Sequence, residues 1–301
     1  MPEIYGILLD TKRFAVHDGP GIRTTFFTKG CPLACRWCHN PESINPGIEL
    51  AYMAHKCINC GECIKQCRNH AHTIENDKHT FEFDLCAKCL NCANSCLGKA
   101  LKIYGKRISV SEAMEIALED IDFYNESGGG VTISGGEPLM QSDFTLALLA
   151  ELKKKGIHTA LDTSCFAAQE KVAAALAVTD LFLVDFKVFD ENRHQQLTGQ
   201  SNKIIKKNLE FLARNKVDIE IRIPFVPGCN SDEENIRSSA EFLAALEIKK
   251  VKLLPYHDMA RSKYKSINKL DTMPNCAPPS PQMLEQAKKI LQSYGMEPEN
   301  G

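Results

Sequence analysis

GGGVTISGGEPLMQSDFTLALLAELKKKG, residues 128–156, carries the repeating pattern of the whole chain. It reads as a short strand ending in glycines, then a helix with Ser142 as N-cap and Gly156 as its C-terminal stop. The same unit recurs in both directions. Upstream, RTTFFTK (23–29) is a first strand, and residues 109–124 set Val110, Ala113, Met114, Ala117, Leu118 and Ile121 on one helical stripe. Downstream, strands are expected at 157–162, 181–185, 217–223 and 250–255, with helices at about 167–178, 203–214, 232–246 and 282–293. Six strand-helix units in alternation predict a parallel sheet with helices outside, either doubly wound or curled into a barrel. Six units fall short of a complete barrel, so a barrel built from them is open on one side.

With 44% hydrophobic residues in 301, the chain can bury a full core. Thirty-six basic residues against 38 acidic ones give a net charge of −2 without segregation of sign, which offers no footprint for nucleic acid or a membrane surface. The start, MPEIYGILLD, lacks the layout of a secretory signal, and no apolar run is long enough to span a bilayer. A soluble, cytoplasmic protein is the expectation. Fourteen cysteines are the anomaly: in a reducing compartment so many thiols point to metal ligation rather than disulfides. Cys165, Cys229 and Cys276 stand alone and read as plain buried thiols.

Residues 48–104 differ from the rest in being cysteine-rich and poor in long periodic segments. Cys57, Cys60, Cys63 and Cys67 follow CxxCxxCxxxC, and Cys86, Cys89, Cys92 and Cys96 repeat it 29 residues later. That doubled spacing is similar to bacterial ferredoxins with two 4Fe-4S clusters, in which the fourth cysteine of each array serves the other cluster. The pairing so implied is Cys57, Cys60, Cys63 with Cys96, and Cys86, Cys89, Cys92 with Cys67. Two structural zinc sites are the alternative, although zinc arrays usually separate two CxxC pairs by a long loop. The proline that commonly follows the fourth cysteine is replaced by Arg68 and Leu97.

The third array, Cys31, Cys35 and Cys38 in KGCPLACRWCHNPES (29–43), has only three thiols. A site one ligand short keeps an open position, as catalytic sites do and structural ones do not. His39 directly follows Cys38 and is awkwardly placed to join the same site, so a 4Fe-4S cluster with one open iron fits better than zinc. Polar residues also fall at the carboxyl ends of the later strands: Asp162 and Thr163, Asp185 and Lys187, Arg222 and His257. Singly, Asp162 reads as a helix cap, Arg222 as a surface charge and His257 as a loop histidine. Together they read as one site, because chemistry on such sheets gathers at that face.

CxxxCxxC with Trp37 before its last cysteine, followed one strand-helix unit later by Gly135, Gly136, Glu137 and Pro138, resembles the radical S-adenosylmethionine (SAM) superfamily. HDGPGIRTTFF (17–27), CHNPES, LDTS (161–164), VDFK (184–187), RIPFVPG (222–228) and LLPYH (253–257) extend the resemblance over nearly the whole chain to glycyl radical enzyme activating enzymes. The insert is similar to that of the members acting on enzymes other than pyruvate formate-lyase.

The resemblance implies an α/β fold, a partial (β/α)6 TIM-type barrel in residues 1–47 and 105–301 with a bacterial ferredoxin-like domain inserted at 48–104. It implies three 4Fe-4S clusters, one binding SAM through Cys31, Cys35 and Cys38. Trp37, Cys38, His39, Ser134, Gly135, Gly136, Glu137, Asp185, Phe186, Lys187, Arg222 and His257 would line SAM. Glycines would let the backbone approach its methionine part, and Glu137 would accept from its amino group. Asp18 and Lys187 would stand at the reacting centre, and a monovalent cation would rest on Asp162, Thr163 and Asp185. The implied partners are a glycyl radical enzyme as protein substrate and a reduced flavodoxin or ferredoxin as electron donor, with the chain a monomer. A radical SAM enzyme acting on a small molecule or tRNA is the alternative, and a ferredoxin with an appended domain is the rival from another class. The insert clusters would form an electron wire or serve as structure.

Overall fold

All six strands expected from the sequence are present in the computed structural model, which describes residues 3–273 and 275–301. In chain order the strands are β1 (Tyr5–Ala15), β2 (Arg23–Thr28), β3 (Glu49–Tyr52), β4 (His72–Glu75), β5 (Lys78–Phe81), β6 (Leu101–Tyr104), β7 (Lys106–Ser109), β8 (Gly130–Gly135), β9 (His158–Thr163), β10 (Leu181–Asp185), β11 (Asp218–Phe225), β12 (Lys250–Pro255) and β13 (Glu297–Asn300). The helices are α1 (Glu62–Gln66), α2 (Asn91–Asn94), α3 (Val110–Leu118), α4 (Ile121–Ser127), α5 (Ser142–Lys154), α6 (Gln169–Leu176), α7 (Glu191–Thr198), α8 (Lys203–Arg214), α9 (Glu233–Ala245), α10 (Arg261–Ser266) and α11 (Pro281–Ser293).

One nine-stranded sheet has the order β13-β12-β11-β10-β9-β8-β2-β1-β7. From β2 to β13 neighbouring strands are parallel, while β1 and β7 are antiparallel to their neighbours. Each strand-helix step moves one place in the same direction. Right-handed crossovers that never reverse direction put the crossover helices on one face, so the sheet has no doubly wound switch point. The strands are buried on both faces: Val131 and Ile133 of β8 and Phe182, Leu183 and Val184 of β10 are fully covered. On α5 the covered stripe is Phe144, Leu148 and Leu152 with Thr145 and Leu149.

Several elements depart from the sequence reading. The helix expected at 109–124 breaks between α3 and α4, where the wholly buried Asp120 turns inward to Arg13 and Thr24. Ser142 is the first residue of α5 rather than its cap; the cap position is Gln141, whose side chain instead bonds Ile7 of β1 and Lys29 just after β2. Gly156 does follow the helix end, at φ +73°. β13, α7 and α10 were not read at all. Their sequences, EPEN, ENRHQQLT and RSKYKS, are too polar to show a buried face in isolation.

Residues 49–104 pair among themselves, β3 with β6 and β4 with β5, around Leu50, Ala71, Phe81, Cys92 and Leu101. The 29-residue repeat extends beyond the cysteines into the backbone. Asn59 and Lys88, Gly61 and Leu90, and His70 and Lys99 occupy matching places in the two halves, and all six have positive φ. The turns at His70 and Lys99, which follow the missing prolines, therefore have one geometry in both halves. Lys29 fastens this region to the rest: fully buried, it donates to Glu49 at 2.9 Å and to the carbonyl of Glu42 at 2.8 Å. Among the described residues no helix is long and apolar enough to cross a membrane.

Candidate active site

The loop after β2 carries Cys31, Cys35 and Cys38 over the carboxyl ends of the parallel strands. Its shape is fixed by backbone hydrogen bonds, from Ala34 and Arg36 to the end of α7 and from Gly30 and Cys31 to Ser43 and Ile44. Tyr264 of α10 donates to the Cys38 carbonyl at 2.9 Å, and Lys263 to the His39 carbonyl at 3.0 Å. The three thiols open onto a cavity of about 380 Å³, within the range of small-molecule sites.

The cavity gathers most of the residues singled out in the sequence. Trp37, His39 and Asp18 line it, as do Ser134, Gly135 and Gly136 from the end of β8, Asp162 and Thr163 from β9, and Asp185, Lys187 and Arg222. Asp162 accepts from Ser134 at 2.7 Å and from Arg222 at 3.4 Å, so it does not cap a helix. Arg222 is buried and also donates to the His17 carbonyl at 2.9 Å, which ties the segment holding Asp18 to the site. Asp18 accepts from Thr25 at 2.8 Å. Lys187 donates to Asp185 at 2.5 Å.

Electrostatics follow from burial. Burial pushes the Cys31 and Cys35 thiols up to about 12 and raises Cys38, so all three are protonated at neutral pH until a metal displaces the protons. Burial also pushes Asp162 up to about 6, against the pull of Arg222. On Lys187 burial works downward, but Asp185 outweighs it and raises the ammonium above its ordinary value. His39 is driven down to about 4 by burial and by His257.

Three expected cofactor-lining residues are placed differently. Glu137 does not line the cavity: it is fully buried, and its carboxylate is taken by Thr163, the amide and hydroxyl of Ser164, and the amide of Leu139. Phe186 faces the core, its ring 5.6 Å from that of Phe242. His257 stands behind His39, the two rings stacked at 4.0 Å. Gly135 and Gly136 serve the chain itself before any ligand. A Cβ on Gly135 would lie 2.3 Å from the amide nitrogen of Thr28, and one on Gly136 would lie 2.2 Å from the Gly30 carbonyl oxygen. Each member of the expected cation set has a protein partner, Asp162 with Arg222, Asp185 with Lys187 and Thr163 with Glu137. Tyr256 was missed, although it borders the cavity with its ring 5.7 Å from His39. Its place in LLPYH, next to His257, was the available signal.

The donor set fits a cluster with one open corner: three sulfurs face a shared cavity, and His39 Nε2 and His257 Nδ1 are buried beside it without partners. A family model described as the radical SAM superfamily matches residues 25–240. The chain belongs to the radical SAM superfamily, among the glycyl radical enzyme activating enzymes. It is 40% identical over 274 residues to the choline trimethylamine-lyase activating enzyme of Oleidesulfovibrio alaskensis, covering 89% of this chain and 88% of that one. It is 39% identical over 290 residues to the trans-4-hydroxy-L-proline dehydratase activating enzyme of Clostridioides difficile, covering 95% and 96%. Among solved structures, a domain of the pyruvate-formate lyase-activating enzyme from Bacteroides vulgatus aligns with a TM-score of 0.50 at 36% identity, over 57% of this chain and 99% of that one.

The eight cysteines of residues 57–96 fall into two groups. Cys57, Cys60, Cys63 and Cys96 border one cavity, and Cys67, Cys86, Cys89 and Cys92 another of about 200 Å³. Backbone amides point at several of these sulfurs, Ala71 at Cys67, Lys88 at Cys86 and Ala100 at Cys96, all at 3.2–3.3 Å. Amide donors aimed at sulfur suit thiolates that carry charge.

Proposed function

We propose that this member of the family binds SAM in the 380 Å³ cavity, on a 4Fe-4S cluster held by Cys31, Cys35 and Cys38, and uses it to install a radical on one glycine of a partner protein. The observation that carries this reading is the three-thiol set facing a cavity that is also lined by the buried cations Lys187 and Arg222 and the half-buried carboxylates Asp18, Asp162 and Asp185. Bound there, the cluster would supply an open site for SAM and would relay an electron from an external reductant to it; the products of that cleavage would be methionine and the 5′-deoxyadenosyl radical that takes a hydrogen atom from the partner's glycine.

The chain's own residues bind and orient. Arg222 and Lys187 bring fixed positive charge to the SAM carboxylate, and Asp162 and Asp185 balance the sulfonium and amino charges. His39 and Tyr256 offer ring faces, with His257 behind His39. Asp18 lines the cavity on the segment held by Arg222 and would face the partner's glycine loop. A monovalent cation on Asp162, Thr163 and Asp185 would compete with Lys187 and Arg222 for the same oxygens. The one-directional sheet supports a partial (β/α)6 barrel whose open side admits that loop.

Residues 48–104 form, in this reading, a ferredoxin-like domain with two further 4Fe-4S clusters between residues 1–47 and 105–301. Its support is the grouping of eight thiols into two sets of four and the repeat in backbone conformation. The clusters pass electrons from a reduced flavodoxin or ferredoxin in the cytoplasm to a monomeric enzyme. Anaerobically reconstituted protein with dithionite is expected to turn SAM into methionine and 5′-deoxyadenosine. With its partner it should yield the electron paramagnetic resonance doublet of a glycyl radical. No SAM cleavage by iron-replete protein would overturn the reading.

A further inference from the structure

Two buried histidines stand between the two groups of four cysteines. His72 and His79 are only 3% and 6% exposed, and their Nδ1 and Nε2 atoms are 3.1 Å apart. His79 borders the cavity of Cys57, Cys60, Cys63 and Cys96, while His72 borders that of Cys67, Cys86, Cys89 and Cys92. The same Nε2 of His79 is 3.4 Å from Cys63 Sγ. Both rings are fixed by their neighbours. Phe81 stacks on His72 at 4.6 Å, and Tyr52 meets His79 edge-on at 4.6 Å.

The position of the ring proton follows from the partners. A proton on His79 Nε2 has two acceptors in reach, the Cys63 sulfur and His72 Nδ1. A proton on His79 Nδ1 would be buried with no acceptor at all, because that atom has no partner. A thiolate at Cys63 strengthens the choice, since a bare Nε2 lone pair would then face a negative sulfur. His72 Nδ1, facing an N–H, is an acceptor.

The 29-residue repeat shows that this donor belongs to one half alone. The pair Ile74 and His79 of β4 and β5 corresponds to Ile103 and Leu50 of β6 and β3, and His72 with Phe81 corresponds to Leu101 with Tyr52. The register is the same, but where one half has His79 against Cys63 the other has Leu50.

We propose that His79 donates its Nε2 proton to the Cys63 sulfur, with His72 as its positioning residue, and thereby sets the cluster on Cys57, Cys60, Cys63 and Cys96 at a higher reduction potential than it would otherwise have. This rests on the reading of those cysteines as cluster ligands. A hydrogen bond to a ligand sulfur favours the reduced cluster, which carries the extra negative charge.

The test is a potentiometric titration followed by electron paramagnetic resonance, on the full chain with Cys31, Cys35 and Cys38 changed to alanine to silence the SAM cluster. His79→Leu places at this position the residue that the repeat already accommodates. It should lower one of the two midpoints, with a roughly tenfold fall in the reduced-to-oxidised ratio at the parent midpoint, about 59 mV for one electron. His79→Gln, which keeps an N–H, should shift it less. Unchanged midpoints in an iron-replete His79→Leu protein overturn the proposal. About eight irons and eight sulfides in the parent are the control for the cluster reading, and their absence is the separate failure of that reading. Should His79→Leu not assemble, pulsed resonance on the same parent with 15N-labelled histidine decides, because a bonded imidazole must couple to one reduced cluster. Zinc held by Cys63, His72 and His79, whose ligand atoms lie within 4.8 Å of one another, would also overturn the proposal.

Discussion

Glu137 is bound to Ser164 twice: one carboxylate oxygen accepts from the Ser164 amide at 2.9 Å and from its hydroxyl at 2.6 Å. The other oxygen accepts from Thr163 at 2.7 Å and from the Leu139 amide at 3.1 Å. The glutamate of the GGEP sequence is thus the fastening between the ends of β8 and β9. Glu137→Gln keeps the shape but turns an amino group toward donors. With two buried donors left at about 1–3 kcal/mol each, a loss on the order of 3 kcal/mol is expected, read as a lower thermal midpoint of the apoprotein. A parent-like midpoint would show that the fastening contributes little.

Gly136→Ala would place a Cβ 2.2 Å from the Gly30 carbonyl, one residue before Cys31. Backbone cannot yield as a side-chain tip can, so the loop holding Cys31 should shift. If the chain carries the three proposed clusters, the expected result is loss of the SAM cluster alone, with iron falling from about twelve per chain to about eight. Iron and sulfide analysis checks it.

His257 backs His39 with a ring stack at 4.0 Å but does not itself line the cavity. His257→Leu should leave iron content unchanged and loosen His39, raising KM for SAM about tenfold for roughly 1.4 kcal/mol of lost positioning. An unaltered KM would remove His257 from the site.

Arg13 hydrogen bonds hold the Asp120 carboxyl below the usual carboxylate range, with a further donor in Thr24. A depressed carboxyl contributes stability above its unfolded value, about 3.9, and loses it as pH falls through the folded value. Asp120→Asn should therefore be less stable than the parent at pH 7, by about 1–3 kcal/mol, with the gap closing below about pH 4. Melting curves across that range decide it.

If the second set of thiols conducts electrons, Cys89→Ser should retain SAM cleavage driven by dithionite, which needs no wire, and lose at least tenfold in rate with a protein donor. Equal losses with both reductants would point to a structural role. Cys89 is exposed, so its replacement need not disturb the packing around Leu50 and Phe81.

What is local and periodic is legible in the residues alone: the six alternating units, the thiol spacings, and the polar residues at strand ends that the cavity brings together. Those signals are legible because hydrophobic period and ligand spacing are written in neighbouring residues. The rest depends on long-range pairing. The single winding direction of the sheet depends on which strands pair, which no one strand carries. Glu137 became a fastening because Thr163 and Ser164, more than twenty residues away, come to its oxygens. Likewise, the glycines of GGEP are required by the approach of Thr28 and Gly30, and His79 faces Cys63 because β5 folds back on β4. In each case a long-range contact gives a residue its role, and such contacts exist only once the chain has folded.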